Sequence, residues 1–273
     1  MLASGVSSEH AAPRVSRRRF EGRVALVTGG AGGLGREVVA DLAREGATVA
    51  IADVAVSAAE RAADEARREG ARTLALELDV SEKPSVDAAL ARVEEELGRL
   101  DVLVNLAGGS LDTPRHLSEI SPEHYDLVLN VNLRGTFLCC QAAVPLLARS
   151  GGGAIVNVSS IGGRSASPVT GVPYAAAKAG VLGLTRRLAM ELGPLGIRVN
   201  AIAPGLFLSG PRLEGMWEAL TEGERTRVLG EIPLGRMPEP GEAAAPILFL
   251  ASEDASYITG AVLDVNGGRF MSG

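Results

Sequence analysis

Short apolar runs alternate with longer amphipathic stretches along most of the chain. The apolar runs lie at residues 23–28, 47–52, 72–78, 101–105, 154–159, 197–202 and 261–265. Their length is typical of strands, and the stretches between them have the length of helices. The runs lack the polar–apolar alternation of a strand with one wet face, which indicates a parallel sheet covered by helices on both sides. We therefore predict an α/β fold with a doubly wound parallel sheet in a single domain.

The same pattern predicts where this domain begins and how one helix starts. Residues 1–20 contain Ser, Ala, Gly and several arginines without hydrophobic periodicity, which predicts a flexible N-terminal tail. The domain is then expected over residues 21–273. Ser57 and Glu60 have the spacing of a capping box, which predicts a helix that these residues open and that runs to about Glu69.

Composition and charge exclude several classes of protein. Of the 273 residues 46% are hydrophobic and 22% charged, which is enough to bury a sizeable core. The net charge of −6 argues against a nucleic-acid partner. No apolar run approaches the ~20 residues of a membrane-spanning helix, so no membrane association is expected. The N-terminal segment has no apolar core of a secretory signal, so the protein is expected to be cytoplasmic.

Cysteine and histidine usage gives no sign of a metal site. The two cysteines, Cys139 and Cys140, are adjacent on a predicted helix and point in different directions, so they are poorly placed to pair. We expect them to be small buried side chains. The three histidines lack metal-ligand spacing, and we predict no metal.

A glycine-rich loop lies between the first strand and the first helix. Its sequence, Thr-Gly-Gly-Ala-Gly-Gly-Leu-Gly, spans residues 28–35. Glycines allow positive φ and let the backbone approach a pyrophosphate, which the helix N-terminus attracts. The strand–turn–helix context makes a dinucleotide site the favoured interpretation over a plain loop.

Two further features carry candidate chemistry. Asp53 ends the second strand, where a carboxylate accepts hydrogen bonds from ribose hydroxyls and repels a 2′-phosphate; the alternative is an ordinary turn residue. Tyr174 and Lys178 are four residues apart and share one helix face. A nearby ammonium, helped by an oxidised nicotinamide, would bring the pKa of the phenol from ~10 toward the operating range.

Together these motifs resemble the signature of the short-chain dehydrogenase/reductase family. Residues 28–35 resemble the family's TGxxxGxG loop, and residues 174–178 (YAAAK) resemble its YxxxK motif. Five further family marks follow in order: Asp79-Val80, Asn105-Leu106-Ala107-Gly108, Asn132, Ser159-Ser160 and Pro204-Gly205. The likeness covers roughly residues 20–268 and implies a Rossmann fold. Leu106 and Ala177 depart from the family, which often has Asn and Ser there.

The resemblance implies the roles of the site residues. Asn132 would position a water in a proton relay, Ser160 would anchor the substrate oxygen, Tyr174 would be the acid/base, and Lys178 would hold the nicotinamide ribose. Ser160 is preferred to Ser159 because its offset to Tyr174 fits the family better. The implied cofactor-binding residues are Gly29, Gly33, Leu34, Gly35, Asp53, Asp79, Val80, Asn105, Ala107, Gly108, Tyr174, Lys178, Pro204, Gly205, Phe207 and Ser209.

The implied activity is the NAD(H)-dependent interconversion of a small-molecule secondary alcohol and a ketone. One alternative is an NADPH-dependent 3-oxoacyl carrier-protein reductase, but Gly30, Ala31 and Val54 stand where a basic residue would favour NADPH. Another is a non-catalytic dinucleotide-binding sensor or scaffold. The resemblance also implies a homotetramer and a substrate lid at about residues 205–237. Neither the substrate nor the physiological direction follows from the sequence.

Overall fold

Parallel strands form one sheet at the centre of the protein. The computed structural model describes residues 18–166, 170–208 and 210–272. The strands within these residues are β1 (Val24–Thr28), β2 (Thr48–Asp53), β3 (Thr73–Glu77), β4 (Val102–Asn105), β5 (Gly153–Val158), β6 (Ile197–Pro204) and β7 (Val262–Val265). Their order is β3-β2-β1-β4-β5-β6-β7, and all neighbours pair in parallel. The predicted doubly wound α/β fold is confirmed.

Helices connect the strands and cover the sheet. They are α1 (Gly33–Arg44), α2 (Val56–Arg68), α3 (Lys83–Leu97), α4 (Pro122–Leu129), α5 (Gly135–Arg149), α6 (Val172–Leu192), α7 (Pro211–Glu218), α8 (Glu222–Gly230) and α9 (Pro240–Ala251). A π-helical segment, Asn130–Arg134, joins α4 to α5. A 3₁₀ turn, Ile161–Gly163, follows β5 and precedes α6.

The two faces of the sheet are both buried, as the apolar runs predict. In β1, Val24 and Leu26 belong to one hydrophobic cluster, whereas Ala25 and Val27 belong to the other. The first cluster includes side chains of α3 and α5, and the second those of α1, α2 and α9. The cysteines of α5 are free and buried, which confirms that they are core residues.

The structure corrects the predicted start of the domain. Phe20 is 1% exposed and packs in the second cluster, and the Arg19 guanidinium donates to both carboxylate oxygens of Glu45 at 2.5 and 2.6 Å. The folded part therefore begins before residue 21, because Phe20 is a core side chain. Residues 1–17 lie outside the described residues, so the rest of the tail prediction stays a prediction.

The predicted capping box at the start of α2 is wrong. Ala55 is the N-cap, no side chain caps the helix, and Ser57 lies inside its first turn. Asp53 Oδ1 accepts from the Ala55 amide at 3.1 Å. This bond fixes the turn after β2, so the helix begins at Val56, before the predicted capping residue Ser57.

Candidate active site

The carboxyl ends of the parallel strands lie along one edge of the sheet and carry most of the predicted site residues. β1 and β4 are neighbours, and the chain proceeds outward from them in opposite directions. In doubly wound sheets the ligand crevice forms at this switch point. Thr28, Asn105 and Asn157 lie side by side there in register.

The glycine loop is folded as tightly as its sequence permits. Gly29 has φ +66° and Gly33 φ +51°, conformations that favour glycine. A Cβ on Gly35 would lie 2.0 Å from Gly29 O, and a Cβ on Gly29 would lie 2.9 Å from Ala107 Cα. No side chain caps α1 at Gly32. The loop is therefore a cradle of backbone before a helix N-terminus, which fits the pyrophosphate of a dinucleotide.

Thr28 is a site residue that the sequence analysis did not single out. Its side chain is buried, and its Oγ1 lies 3.1 Å from Leu106 N and 3.2 Å from Ala107 N, accepting from both amides. It thereby ties the loop after β4 to the end of β1. The available signal was a hydroxyl residue closing a fully apolar strand directly before the glycines.

Asp53 lies at the end of β2, half-buried beside the glycine loop. Its Oδ2 accepts from Ala31 N at 3.2 Å, and its Oδ1 accepts from Ala55 N. The carboxylate is therefore adjacent to the loop, as the prediction requires, and it also braces the loop. Arg36, the cation in the first turn of α1, forms an ion pair with Glu65 at 2.5 Å.

Asp79 and Val80 shape the turn after β3. Asp79 Oδ1 accepts from the backbone amide and the hydroxyl of Ser81 at 2.9 and 2.6 Å. Val80 is buried, and a Cβ on Gly135 would lie 2.7 Å from Val80 Cγ2. Both residues hold the strand end in place, and their contact with adenine stays a prediction.

Asn105 takes part in a buried polar chain below the site. Its Nδ2 donates to Asn157 Oδ1 at 2.9 Å, and Asn157 Nδ2 donates to Thr185 Oγ1 at 3.0 Å. All three side chains are at most 4% exposed. Asn105 Oδ1 has no hydrogen-bond partner among the described residues. The chain joins β4, β5 and α6, and the predicted contact of Asn105 with the cofactor stays a prediction.

Ser160 and Tyr174 meet at the end of β5. Ser160 accepts from Gly162 N at 3.1 Å through its Oγ, and its hydroxyl lies near enough to that of Tyr174 to favour the phenolate. Ser159 is directed differently, because its Oγ donates to Lys178 O at 2.7 Å. Ser160 therefore lies beside Tyr174, whereas Ser159 connects the end of β5 to α6.

Lys178 lies under Tyr174, with Nζ 5.7 Å from the centre of the ring. Its Nζ donates to Val158 O at 2.8 Å. Burial lowers the pKa of Lys178 to about 8. Burial also raises the pKa of Tyr174, although the Ser160 hydroxyl opposes this effect. Without the dinucleotide, desolvation of the phenolate therefore dominates, and the lowering expected with the oxidised nicotinamide bound stays a prediction.

Asn132 lies in the π-helical segment and holds the loop after β4. Its Oδ1 accepts from Gly109 N at 3.0 Å, and its Nδ2 donates to Gly109 O and Val128 O, both at 2.9 Å. The Cβ that Gly108 lacks would lie 2.4 Å from Asn132 Oδ1 and 3.4 Å from Lys178 Nζ. The structure thus brings Asn132, Gly108 and Lys178 together. The π-helical segment, a feature common at functional sites, was not predicted.

The predicted residues after β6 surround the end of that strand. Gly205 N donates to Val265 O at 2.9 Å, and Phe207 is buried. Ser209 lies outside the described residues. Within the predicted lid, α7 and α8 are helical, and the Arg225 guanidinium carbon lies 5.7 Å from the centre of the Trp217 ring. Trp217 therefore contacts α8 within the lid segment.

The lowered pKa of Lys178 predicts a pH dependence of stability. An unfolded lysine titrates near 10.5 and the folded one near 8, so between these values the unfolded chain binds more protons and stability rises with pH. We expect Lys178 to contribute an increase of about 2 kcal/mol to the free energy of unfolding without dinucleotide from pH 8 to pH 10. Burial raises the pKa of the Cys139 and Cys140 thiols, which contributes a decrease above about pH 9, so the Lys178 contribution is read as a difference between variants. Chemical denaturation checks this: from pH 8 to pH 10 the stability of Lys178→Met should fall relative to the wild type by about 2 kcal/mol, and that of the exposed Lys83→Met should not. An unchanged slope in Lys178→Met would contradict the assignment.

Comparisons with known proteins support one family for the whole chain. A family profile described as Enoyl-(Acyl carrier protein) reductase matches residues 29–269. The (2S)-[(R)-hydroxy(phenyl)methyl]succinyl-CoA dehydrogenase subunit BbsD of Thauera aromatica is 39% identical, covering 92% of this chain and 98% of its own. The 3-oxoacyl-[acyl-carrier-protein] reductase FabG of Thermotoga maritima is 41% identical with the same coverage of 92% and 98%.

A solved structure extends the likeness to the fold. The 3-oxoacyl-[acyl-carrier protein] reductase with bound NAD from Brucella melitensis superposes with a TM-score of 0.82 at 32% identity, covering 100% of this chain and 99% of its own. The relatives are named dehydrogenases and reductases that act on hydroxyl or keto groups. The chain is therefore similar to enzymes that bind a nicotinamide dinucleotide.

Proposed function

The chain belongs to the short-chain dehydrogenase/reductase family, and on that premise we propose that it interconverts a secondary alcohol and a ketone with NAD(H). The observation that carries this proposal is that Tyr174 has Ser160 beside its hydroxyl and Lys178 Nζ 5.7 Å from the centre of its ring. The bound nicotinamide supplies or accepts the hydride. The protein contributes orientation and moves the proton of the substrate hydroxyl.

Each side chain has one task in this scheme. Ser160 binds the substrate oxygen, and Tyr174 donates a proton to that oxygen in ketone reduction or removes it in alcohol oxidation. The raised pKa of Tyr174 keeps the phenol protonated, which suits the acid role. In the oxidation direction, the positive charges of Lys178 and of the oxidised cofactor would stabilise the phenolate. Asn132 fixes Gly108–Gly109 beside Lys178 and would carry the water relay.

The choice of NAD(H) rests on Asp53. Its carboxylate lies against the glycine loop, where the adenosine ribose would lie, and the loop contains no cation. Among the named relatives, the enzyme of Brucella melitensis is described with bound NAD. The glycine cradle would hold the pyrophosphate, Tyr174 and Lys178 the nicotinamide ribose, and Pro204 to Phe207 the nicotinamide end.

A second candidate within the same chemistry is reduction of a 3-oxoacyl thioester with NADPH. The name of the Thermotoga relative favours it, and that of the Thauera relative favours a hydroxyl on a coenzyme A thioester. A non-catalytic sensor is the weaker alternative, since it has no need of Ser160, Tyr174 and Lys178 in contact.

A screen of substrates against both cofactors tests the proposal. We would follow nicotinamide absorbance with simple ketones, secondary alcohols, 3-oxoacyl-coenzyme A and 3-oxoacyl carrier protein, each with NAD(H) and NADP(H). Turnover of any carbonyl pair with NAD(H) supports the proposal, and turnover only of oxoacyl thioesters with NADPH supports the second candidate. Binding of dinucleotide without turnover of any substrate favours the sensor.

We further propose a cytoplasmic homotetramer, for which the surface offers two apolar faces. The continuous helix Pro122–Arg149 is apolar and long enough to span a membrane, and 44% of its most apolar window is buried inside the protein. Its α5 part packs in the first hydrophobic cluster, which supports a helix of the protein core. Its remaining face exposes Leu127 and Phe137. The second apolar surface is at β7, where Leu263 is exposed, and Tyr257, a few residues before the strand, is fully exposed in the single chain. Two different self-complementary faces generate a closed tetramer.

Light scattering at micromolar concentration should report four chains per particle. Phe137→Glu places a charge in one face and should leave dimers, because the face at β7 is intact. Arg92→Glu, on the exposed surface of α3, should leave the tetramer unchanged. A monomeric wild type would refute the assembly.

A further inference from the structure

Arg164 joins the turn that carries Ser160 to the carboxyl end of the chain. It directly follows the 3₁₀ turn Ile161–Gly163, and its Nη2 donates to Asp264 Oδ2 on β7 at 2.9 Å. The two side chains are 17% and 18% exposed. The guanidinium carbon lies 5.2 Å from the centre of the Phe270 ring. We propose that Arg164 is a positioning residue, which holds Ser160 opposite Tyr174 through Asp264; this rests on the proposed function.

Among the described residues, the backbone hydrogen bonds that close the turn are local. It is closed by short-range bonds, Gly163 N to Ser160 O at 2.9 Å and Arg164 N to Ile161 O at 3.0 Å. Its other side lies directly on α6, where a Cβ on Gly163 would be 2.6 Å from the Lys178 carbonyl carbon. A shift of the turn therefore moves Ser160 relative to the helix that carries Tyr174 and Lys178.

Asp264, which binds Arg164, belongs to a segment that is held by several hydrogen bonds. Asp264 pairs with Ala203 in the sheet. After β7, Asn266 closes the C-terminal segment (residues 266–272): its Nδ2 donates to Phe270 O at 3.1 Å, and its Oδ1 accepts from Gly268 N at 3.0 Å. Arg269 forms an ion pair with Glu231 at the end of α8. Arg164 thus contacts a segment that is fixed to both the sheet and the lid.

Asp264 has few hydrogen-bond partners besides Arg164 among the described residues. Asp264 Oδ1 is buried and has no hydrogen-bond partner among the described residues, and Oδ2 has the Ser272 hydroxyl at 3.4 Å besides Arg164. Removing one partner of a buried pair leaves an uncompensated charge, whereas an exposed pair contributes little. Arg149 and Glu94 form such an exposed pair at 2.6 Å, with 55% and 54% exposure, and provide the control.

We expect Arg164→Ala to lower kcat about 10- to 100-fold, the cost of a misplacement of about 1 Å at the reacting group. The Kd for dinucleotide should change less than about twofold, because the glycine loop and Asp53 do not contact Arg164. Arg164→Lys should recover part of kcat, since it restores the charge without the planar group that lies on Phe270. Arg149→Ala should match the wild type in kcat and Kd.

Hydrogen exchange of the backbone amides of residues 163–165 measures the local stability of the turn and needs no substrate. Exchange should rise in Arg164→Ala and not in Tyr174→Phe, which stops turnover with Arg164 intact. If the wild type turns over no substrate, the proposed function fails, and exchange alone decides about Arg164. Should Arg164→Ala not fold, Arg164→Lys and Asp264→Asn carry the same comparison. Unchanged exchange, or wild-type kcat in a folded Arg164→Ala, overturns the proposal.

Discussion

Tyr174→Phe should lower kcat at least ~10²-fold, the lower range for general acid–base catalysis. The substitution removes only the hydroxyl, which lies beside Ser160. The ring remains over Lys178, so α6 and the bond from Lys178 to Val158 O are retained. Steady-state kinetics on the best substrate of the screen measure the effect.

Two controls separate loss of chemistry from loss of structure. The Kd for dinucleotide, measured by fluorescence titration, should stay near the wild-type value because the glycine loop is unaltered. Tyr257→Phe removes a hydroxyl from a fully exposed tyrosine and should leave kcat unchanged. Near-wild-type turnover by purified Tyr174→Phe would show that another group transfers the proton.

The parts of this structure that follow from local sequence could be predicted. The interior strands coincide with apolar runs because a parallel strand between two others is buried on both faces, so its composition alone identifies it. The edge strands β3 and β7 also coincide with predicted runs, although they are partly exposed. The run at residues 23–28, for example, became Val24–Thr28. The start of α2 was mispredicted because the deciding bond comes from Asp53, outside the helix. Phe20 likewise looked like part of a tail, since its burial depends on elements far along the chain.

The candidate site divides in the same way. Tyr174 and Lys178 are recognisable because four residues along a helix bring them to one face, and the glycine loop because its conformation requires glycine. The chain from Asn105 through Asn157 to Thr185 and the pair of Arg164 with Asp264 join distant segments. Their partners are chosen by packing, and no local pattern encodes them.

The second large effect concerns cofactor choice, for which we expect a preference for NAD(H) over NADP(H) of about 10²-fold or more in kcat/KM. The Asp53 carboxylate would accept bonds from the 2′- and 3′-hydroxyls, each contributing about 1.5–3 kcal/mol. Against a 2′-phosphate, like charges at ~4 Å repel by roughly 4 kcal/mol per pair at an effective dielectric of about 20. Salt and relaxation reduce this value.

In the structure Asp53 also supports the glycine loop, and Arg36 forms an ion pair with Glu65; both affect how cofactor choice is interpreted. Asp53 accepts hydrogen bonds from Ala31 N and Ala55 N. Its removal would therefore also loosen the glycine loop and weaken the binding of NAD(H) and NADP(H) equally. Arg36 directly follows the glycine loop and is the cation there that would attract a 2′-phosphate. Its ion pair with Glu65 is solvent-exposed, at 57% and 43%, and such a pair contributes little, so Arg36 would offset part of the repulsion.

Two substitutions at Asp53 distinguish charge from support of the loop. Asp53→Asn keeps an oxygen acceptor toward the backbone amides while removing the charge, and Asp53→Ala removes both. If the charge discriminates, both variants should narrow the ratio of kcat/KM for NAD(H) to NADP(H), and Asp53→Asn should do so with little loss of thermal stability. If Asp53 only braces the loop, Asp53→Ala should weaken both cofactors with the ratio unchanged. A wild type that prefers NADP(H) would show that Asp53 does not select the cofactor, and Arg36→Ala would then test whether that arginine leaves Glu65 for the phosphate.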